Sequence, residues 1–123
     1  MTPHDVRAVL ASIPAEALDL SRGDASRIFE RFDRSAVGAV RFCGTPPWER
    51  HPGGDELLYV LEGEFELTVL TAERRIEVAL PAGSVFVVPR GLWHRSRPRG
   101  TVSVLFVTPT EGGEDSWADD PRT

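Results

Sequence analysis

The chain has 123 residues, 41% of them hydrophobic, with ten prolines, eleven glycines and a net charge of -5. That length buries one core, which excludes a two-barrel architecture, and the longest apolar stretches have strand length, which predicts no membrane-spanning helix. All fourteen basic residues are arginine within an acidic balance, which argues against a nucleic-acid partner, since that calls for a basic face.

Thr2-Pro3-His4-Asp5 reads as a helix start, with a hydroxyl at the N-cap, proline at N1 and a carboxylate at N3. Val6, Val9, Leu10 and Ile13 recur at helical spacing, predicting a short amphipathic helix that ends near Pro14. His4 falls in this cap and reads as a solvent-exposed residue rather than a metal ligand. Between residues 15 and 35, Ile28, Phe29 and Phe32 fit one face of a helical turn or an edge strand equally well. From Ala36 the pattern becomes β: Val37, Val40 and Phe42 precede a Gly-Thr-Pro-Pro turn. Phe65, Leu67 and Val69 alternate with Glu64, Glu66 and Thr68, and Ile76, Val78 and Leu80 alternate with Glu77 and Ala79, each the mark of a half-buried strand. Thr71 to Arg74 then joins a hairpin, and Glu62-Gly63 is expected to turn the one before it. Val85 to Val88 is continuously apolar, predicting a strand buried on both faces that Pro89 stops, and Val102 to Val107 makes the last strong strand. Short strands with turn signals about every 8 to 12 residues point to an all-β sandwich or barrel. Residues 110–123 form an acidic stretch with Trp117 as its packing anchor, read either as a frayed terminus or as a flap in which Trp117 docks on the barrel.

Two of the three histidines fall in short patterns rich in metal-ligand types. The first runs Trp48-Glu49-Arg50-His51-Pro52-Gly53-Gly54-Asp55-Glu56 and continues through an apolar strand to Gly63; the second runs from Gly83 through Pro89 and Gly91 to His94. Together they resemble the two signature motifs of the cupin family, G-x5-H-x-H-x3-4-E-x6-G and G-x5-P-x-G-x2-H-x3-N. His51, Glu56, Gly63, Gly83, Pro89, Gly91 and His94 match in order, with nineteen residues between Gly63 and Gly83. The chain departs from the pattern at Glu49, where the family has its first histidine, and at Pro98, where it has asparagine.

The resemblance implies a double-stranded β-helix, or jelly-roll barrel, over residues 36–109, preceded by a helix and connecting segment at 1–35 and followed by the tail. It implies a divalent transition metal (Fe, Mn, Ni, Co or Zn) held by His51, Glu56 and His94. Two histidines and one carboxylate leave coordination positions open for substrate. Glu49 is open to three readings: a fourth ligand, a proton-transferring carboxylate beside the metal and so a catalytic residue, or a solvent-facing charge. Glu49 and His51 are two apart, so on an extended strand they share a side; Leu58 and Val60 share the parity of Glu56, predicting an apolar pocket wall. Arg95 and Arg97 are expected to point away from the barrel interior if His94 points into it. Trp48 and Trp93, beside the two motifs, are expected either to pack or to close the pocket mouth, and Arg41 and Cys43 are candidates to face inward.

Two functions follow from the resemblance. One is a metal-binding cupin acting on a small organic molecule by oxygenase, isomerase or cyclase chemistry. The other is a non-catalytic binding or sensor barrel, with the metal pattern an inheritance whose metal has been lost. Small cupins are often homodimers, which the resemblance implies here. Met1 is followed by Pro3, His4 and Asp5 rather than by a basic and then apolar stretch, and Cys43 is the single cysteine, so a cytoplasmic location is expected.

Overall fold

A computed structural model describes residues 1–14, 17–20 and 25–123. Among the described residues one short helix, α1 (Val6–Ala11), precedes eight strands: β1 (Ser26–Phe32), β2 (Ser35–Phe42), β3 (Trp48–Arg50), β4 (Glu56–Leu70), β5 (Arg75–Pro81), β6 (Val85–Val88), β7 (Trp93–Pro109) and β8 (Glu114–Ser116). The helix begins later than the sequence suggests. Asp5 is its N-cap, with its carboxylate accepting from the Ala8 N–H, because a carboxylate satisfies an orphan first-turn donor as well as a hydroxyl does. His4 sits on β1, stacked on Phe29 with its Nε2 3.0 Å from Glu30, far from the other two histidines in sequence and in role.

The long strands β4 and β7 run antiparallel along their whole length, from the Leu57–Val107 pair to the Leu70–Trp93 pair. Both bend near the middle, so each serves two half-sheets. One half is ordered β1-β2-β7-β4-β6, using the end of β7 and the start of β4. The other is β8-β3-β7-β4-β5, using the remaining halves. Side chains from both halves, among them Leu58, Val60 and Val104 from the first and Phe65, Leu67 and Leu80 from the second, form one buried cluster, as two packed layers require. This is the expected jelly-roll barrel. A smaller cluster of Leu10, Ile13, Ala17 and Ala39 seats the N-terminal segment against β2.

Two local expectations are corrected, and one open alternative is decided. Glu62-Gly63 is not a hairpin turn but the bend inside β4, where the register with β7 shifts twice. Gly63 is required there: its φ is +77° and a Cβ would lie 2.5 Å from the Thr101 carbonyl oxygen. β6 is buried on one face only. It pairs with β4 alone, so Phe86 and Val88 turn inward while Val85 stays 60% exposed; an edge strand of a half-solvated sheet keeps the period of two even when every residue is apolar. The apolar residues around Ile28 belong to a strand, β1, the edge-strand alternative, paired with β2. Residues 15, 16 and 21–24 of that uncertain stretch lie outside the described residues.

The tail is not frayed but joins the sheet. Residues 114–116 form β8, which pairs with β3, and Trp117, 62% exposed, stacks by its ring face on the Arg95 guanidinium. Among the described residues, no helix is long and apolar enough to cross a membrane.

Candidate metal centre

The four candidate ligands come from three strands brought together at one end of the barrel. Glu49 lies on β3 and His51 one residue beyond it; Glu56 is the first residue of β4; His94, on β7, is the register partner of Glu49. The intervening Pro52 to Asp55 loop is pinned by the second motif. The Gly91 N–H donates to the His51 carbonyl at 3.1 Å, the Arg90 N–H to Asp55 at 2.8 Å, and the Arg90 side chain to the Pro52 carbonyl at 2.5 Å. Arg90 lies between Pro89 and Gly91 of the second motif, and no motif position marks it. Its real work is to tie the two motif loops together, a role legible only as the tight spacing of Pro89 and Gly91 around it.

Glu49, His51 and His94 each present a ligand atom within 4.8 Å of the others. Glu56 stands between the imidazoles, Oε1 at 3.0 Å from His94 Nε2 and Oε2 at 3.4 Å from His51 Nε2. Glu49 Oε2 lies 3.8 Å from His51 Nε2. All four residues therefore converge, with Glu56 serving as the counter-ion of the histidines. His94 Nδ1 is 3.1 Å from the Leu92 carbonyl. A carbonyl only accepts, so Nδ1 carries the proton and Nε2 faces the centre, the arrangement a ligating histidine needs. Glu56 Oε2 accepts a 2.5 Å hydrogen bond from the Thr108 hydroxyl, which fixes the carboxylate's rotation. Thr108 is the functional residue that the motifs do not flag; the strand register puts it beside Glu56, next to the Leu57–Val107 pair.

His51 differs from His94. Although its Nε2 is within ion-pairing distance of Glu56, the geometry makes no hydrogen bond, and both ring nitrogens are buried without a partner. A Cβ at Gly113 would stand 3.7 Å from His51 Nδ1, so the tail's backbone closes that side of the ring. Two partnerless nitrogens in a buried imidazole are costly unless a further group satisfies one of them. Together with a donor set of imidazole nitrogens and carboxylate oxygens, this fits a divalent transition metal: the Glu49, His51 and His94 group could hold a metal ion.

Electrostatics separates the two carboxylates. Burial pushes Glu56 up, but the adjoining imidazoles outweigh it and hold the group down at about 2. Burial pulls His94 toward neutrality, and the hydrogen bond and charge of Glu56 overcome that and raise it. Glu49 is pushed above the ordinary carboxylate range by burial and by the Glu56 charge, against the pull of the histidines. Its side chain is nevertheless 43% exposed, so solvent screens much of that push.

A cavity of about 540 Å³ opens beside the centre, bordered by Glu49, Glu56 and His94. Leu58 lines it as expected, while Val60 packs in the core. The expected inward placing of Arg41 and Cys43 does not hold: their neighbour Phe42 lines the cavity, because β2 parity sends Val40 and Phe42 inside. Neither Trp48 nor Trp93 borders it. Trp48 is buried under Arg95, and Trp93 lies beneath the Arg50 guanidinium. Arg95 and Arg97 project away from the cavity as expected, Arg97 pairing with Glu66.

A jelly-roll barrel with a histidine–carboxylate cluster at one end defines the class of protein. A family model described as "Cupin domain" matches residues 43–108, and the chain belongs to that family. The chain is 41% identical over 58 residues to germin-like protein subfamily 2 member 2 of Arabidopsis thaliana, a match covering 46% of this chain and 26% of that protein. It thus spans about a quarter of the length of that curated relative. Among solved structures, a Neisseria meningitidis protein superposes with a TM-score of 0.70 at 21% identity over 89% of this chain and 100% of its own. An oxalate oxidase in complex with the substrate analogue glycolate superposes with a TM-score of 0.64 at 23% identity, over 87% of this chain and 63% of its own. At such identities these two likenesses show the fold alone.

Proposed function

We propose that this protein is a metal-dependent cupin that acts on a small organic molecule held in the cavity beside Glu49, His51, Glu56 and His94. The observation that supports it most is buried His51, whose partnerless nitrogens face a second histidine and two carboxylates. In this reading His51 and His94 offer their Nε2 lone pairs, and Glu56 and Glu49 offer one oxygen each. Fe, Mn, Ni, Co and Zn all accept such donors. The ion, when bound, supplies a Lewis acid and, for Fe or Mn, a redox centre suited to oxygenase, isomerase or cyclase chemistry. Leu92 fixes the His94 tautomer and Thr108 fixes the Glu56 rotamer, so these two donors need little reorganisation. Glu49 borders the cavity, is partly open to solvent, and is held toward its protonated form. It is the catalytic residue of this reading, able to carry a proton to or from a bound molecule.

Elemental analysis of protein purified without chelator, beside His51→Ala and His94→Ala, tests the proposal. Near-stoichiometric transition metal in the wild type, lost in both variants, is expected. A wild-type protein that takes up no metal even on reconstitution sinks it and leaves a metal-free ligand-binding or sensor barrel. We also propose a homodimer, in which a partner covers exposed Ile28 and Phe32 on edge strand β1, to be checked by sedimentation, and a cytoplasmic setting consistent with the free Cys43.

A further inference from the structure

We infer that Phe106 decides how large a molecule the cavity takes, and that glycine at position 38 is what seats its ring. Together they limit a ligand's apolar part, on the wall where β2 meets β7, to about one ring's length from the centre. The inference rests on the proposed function for the place of the ligand, and on the packing of the cavity wall for its size.

Gly38 lies inside β2, paired with Ile28 of β1 on one side and Phe106 of β7 on the other. Glycine in a strand interior weakens the strand, and it marks a place where another group approaches the bare backbone. Its φ lies outside the left-handed region, so space rather than conformation demands it. A Cβ at residue 38 would stand 2.6 Å from Phe106 Cζ and 3.0 Å from its Cε1. The tip of the phenyl ring thus takes the place of the missing side chain. The ring leans across the sheet toward β2 and forms part of the cavity wall, where an upright ring would intrude on the space.

The row that holds this pair lies directly below the centre. Thr108 is two residues beyond Phe106 on the same face of β7 and holds Glu56, and side chains two apart on a strand are about 6.5 Å from each other. A molecule with one oxygen at the centre therefore meets the Phe106 ring after a one-atom link and a single six-membered ring. Leu58, the partner of Phe106 on β4, is buried in the core cluster and held there. Phe106 is only partly buried against that cluster, with the cavity beside it. A side chain at position 38 would thus drive the ring into the cavity, and a smaller side chain at position 106 would lengthen the space below the centre.

Benzyl alcohol and 4-isopropylbenzyl alcohol test this on the full chain, loaded with redox-inert Zn(II) and metal-free, by calorimetry and ligand-observed NMR. Three added carbons tighten binding by about tenfold or more wherever an apolar pocket has room for them. Wild-type protein is expected to bind the isopropyl compound no more tightly than benzyl alcohol. Phe106→Leu is expected to bind it at least about tenfold more tightly than benzyl alcohol. Gly38→Ala is expected to weaken benzyl alcohol binding about tenfold, and adding Phe106→Leu to recover most of that loss. The introduced methyl also crowds the Arg27 carbonyl, 2.5 Å away on edge strand β1. Both proteins carrying Gly38→Ala should therefore melt lower than their parents, and the recovery of binding is what a merely destabilised strand would not show. A wild-type protein that already prefers the isopropyl compound by about tenfold overturns the inference. So does a preference that Phe106→Leu leaves unchanged, a Gly38→Ala loss that Phe106→Leu does not recover, or no binding of benzyl alcohol at all. Because the ratios are also read in metal-free protein, failure of metal uptake sinks the proposed function and leaves this inference separately decided.

Discussion

Deleting the chain after Thr110 should loosen the metal centre without unfolding the barrel. β3 carries Glu49 and ends one residue before His51, yet it is a three-residue strand joined to β7 by one register pair, Glu49–His94, and to β8 by three. The larger part of its ladder therefore runs to the tail. Losing two or three net backbone hydrogen bonds at about 1 kcal/mol each removes about 2 to 3 kcal/mol of local support. That is a factor of about 30 to 150 in the balance between docked and undocked β3. The Arg50–Glu114 pair is half-exposed and adds less than about 1 kcal/mol, and Trp117 is too exposed to contribute much. None of the tail belongs to the main core, so the melting temperature should move by only a few degrees while hydrogen exchange at Trp48 to Arg50 accelerates and metal affinity falls about tenfold or more. Exchange by mass spectrometry and metal-competition titration on full-length and truncated protein read both effects. Unchanged protection at β3 together with unchanged metal affinity would refute the reasoning and show that β7 and the loop clamp of Arg90 suffice to hold the strand.

Thr108→Val keeps the shape of the cavity wall and removes the hydroxyl that orients Glu56; metal affinity should drop about tenfold, the usual cost of a lost supporting partner, with little change in melting temperature, as read by competition titration and calorimetry. The pH dependence follows from the paired shifts. In metal-free protein, Glu56, held down at about 2, contributes stability that is present above its unfolded value and lost as pH falls toward 2. His94, whose value is raised, contributes stability that is full below its unfolded value and lost as pH rises through its folded one. Metal-free protein should therefore be most stable in mildly acid solution. Metal affinity should instead climb with pH through the titration of His94, with proton release measurable by calorimetry in buffers of differing ionisation enthalpy.

The barrel was legible because its signals are local. Glycines and a proline at fixed spacing mark Gly63, where a side chain would strike the Thr101 carbonyl, and Gly91, whose N–H caps the His51 carbonyl. Alternation marks β5 and the second half of β4. What escaped depends on partners far away in sequence. Val85 and Val87 read as core because apolar runs carry no record of whether a sheet edge is covered. The turn assigned to Glu62-Gly63 was a bend, since a positive-φ glycine signals a tight backbone position without saying whether the strand resumes in the same sheet. The tail's acidic composition concealed β8, whose pairing with β3 compensates for poor strand propensity. Thr108 was hidden for the same reason: its importance lies in the β4–β7 register, which no spacing rule expresses.

The exchange of histidine for Glu49 acquires its meaning only from this geometry. On sequence alone Glu49 is a solvent-facing charge, a ligand or a proton carrier with equal ease. The structure sets it opposite His94 in the ladder, 3.8 Å from His51, and at the border of an apolar cavity. A second carboxylate in that place lowers the net charge of a loaded centre and leaves a protonatable oxygen beside whatever the cavity holds. Metal binding and proton transfer thus both turn on one side chain. Glu49→Gln retains an oxygen donor but removes the charge and the proton carrier. Weakened metal binding and lost pH-dependent turnover are independent readings of the same variant, and a variant that keeps its metal yet loses turnover assigns Glu49 to proton transfer.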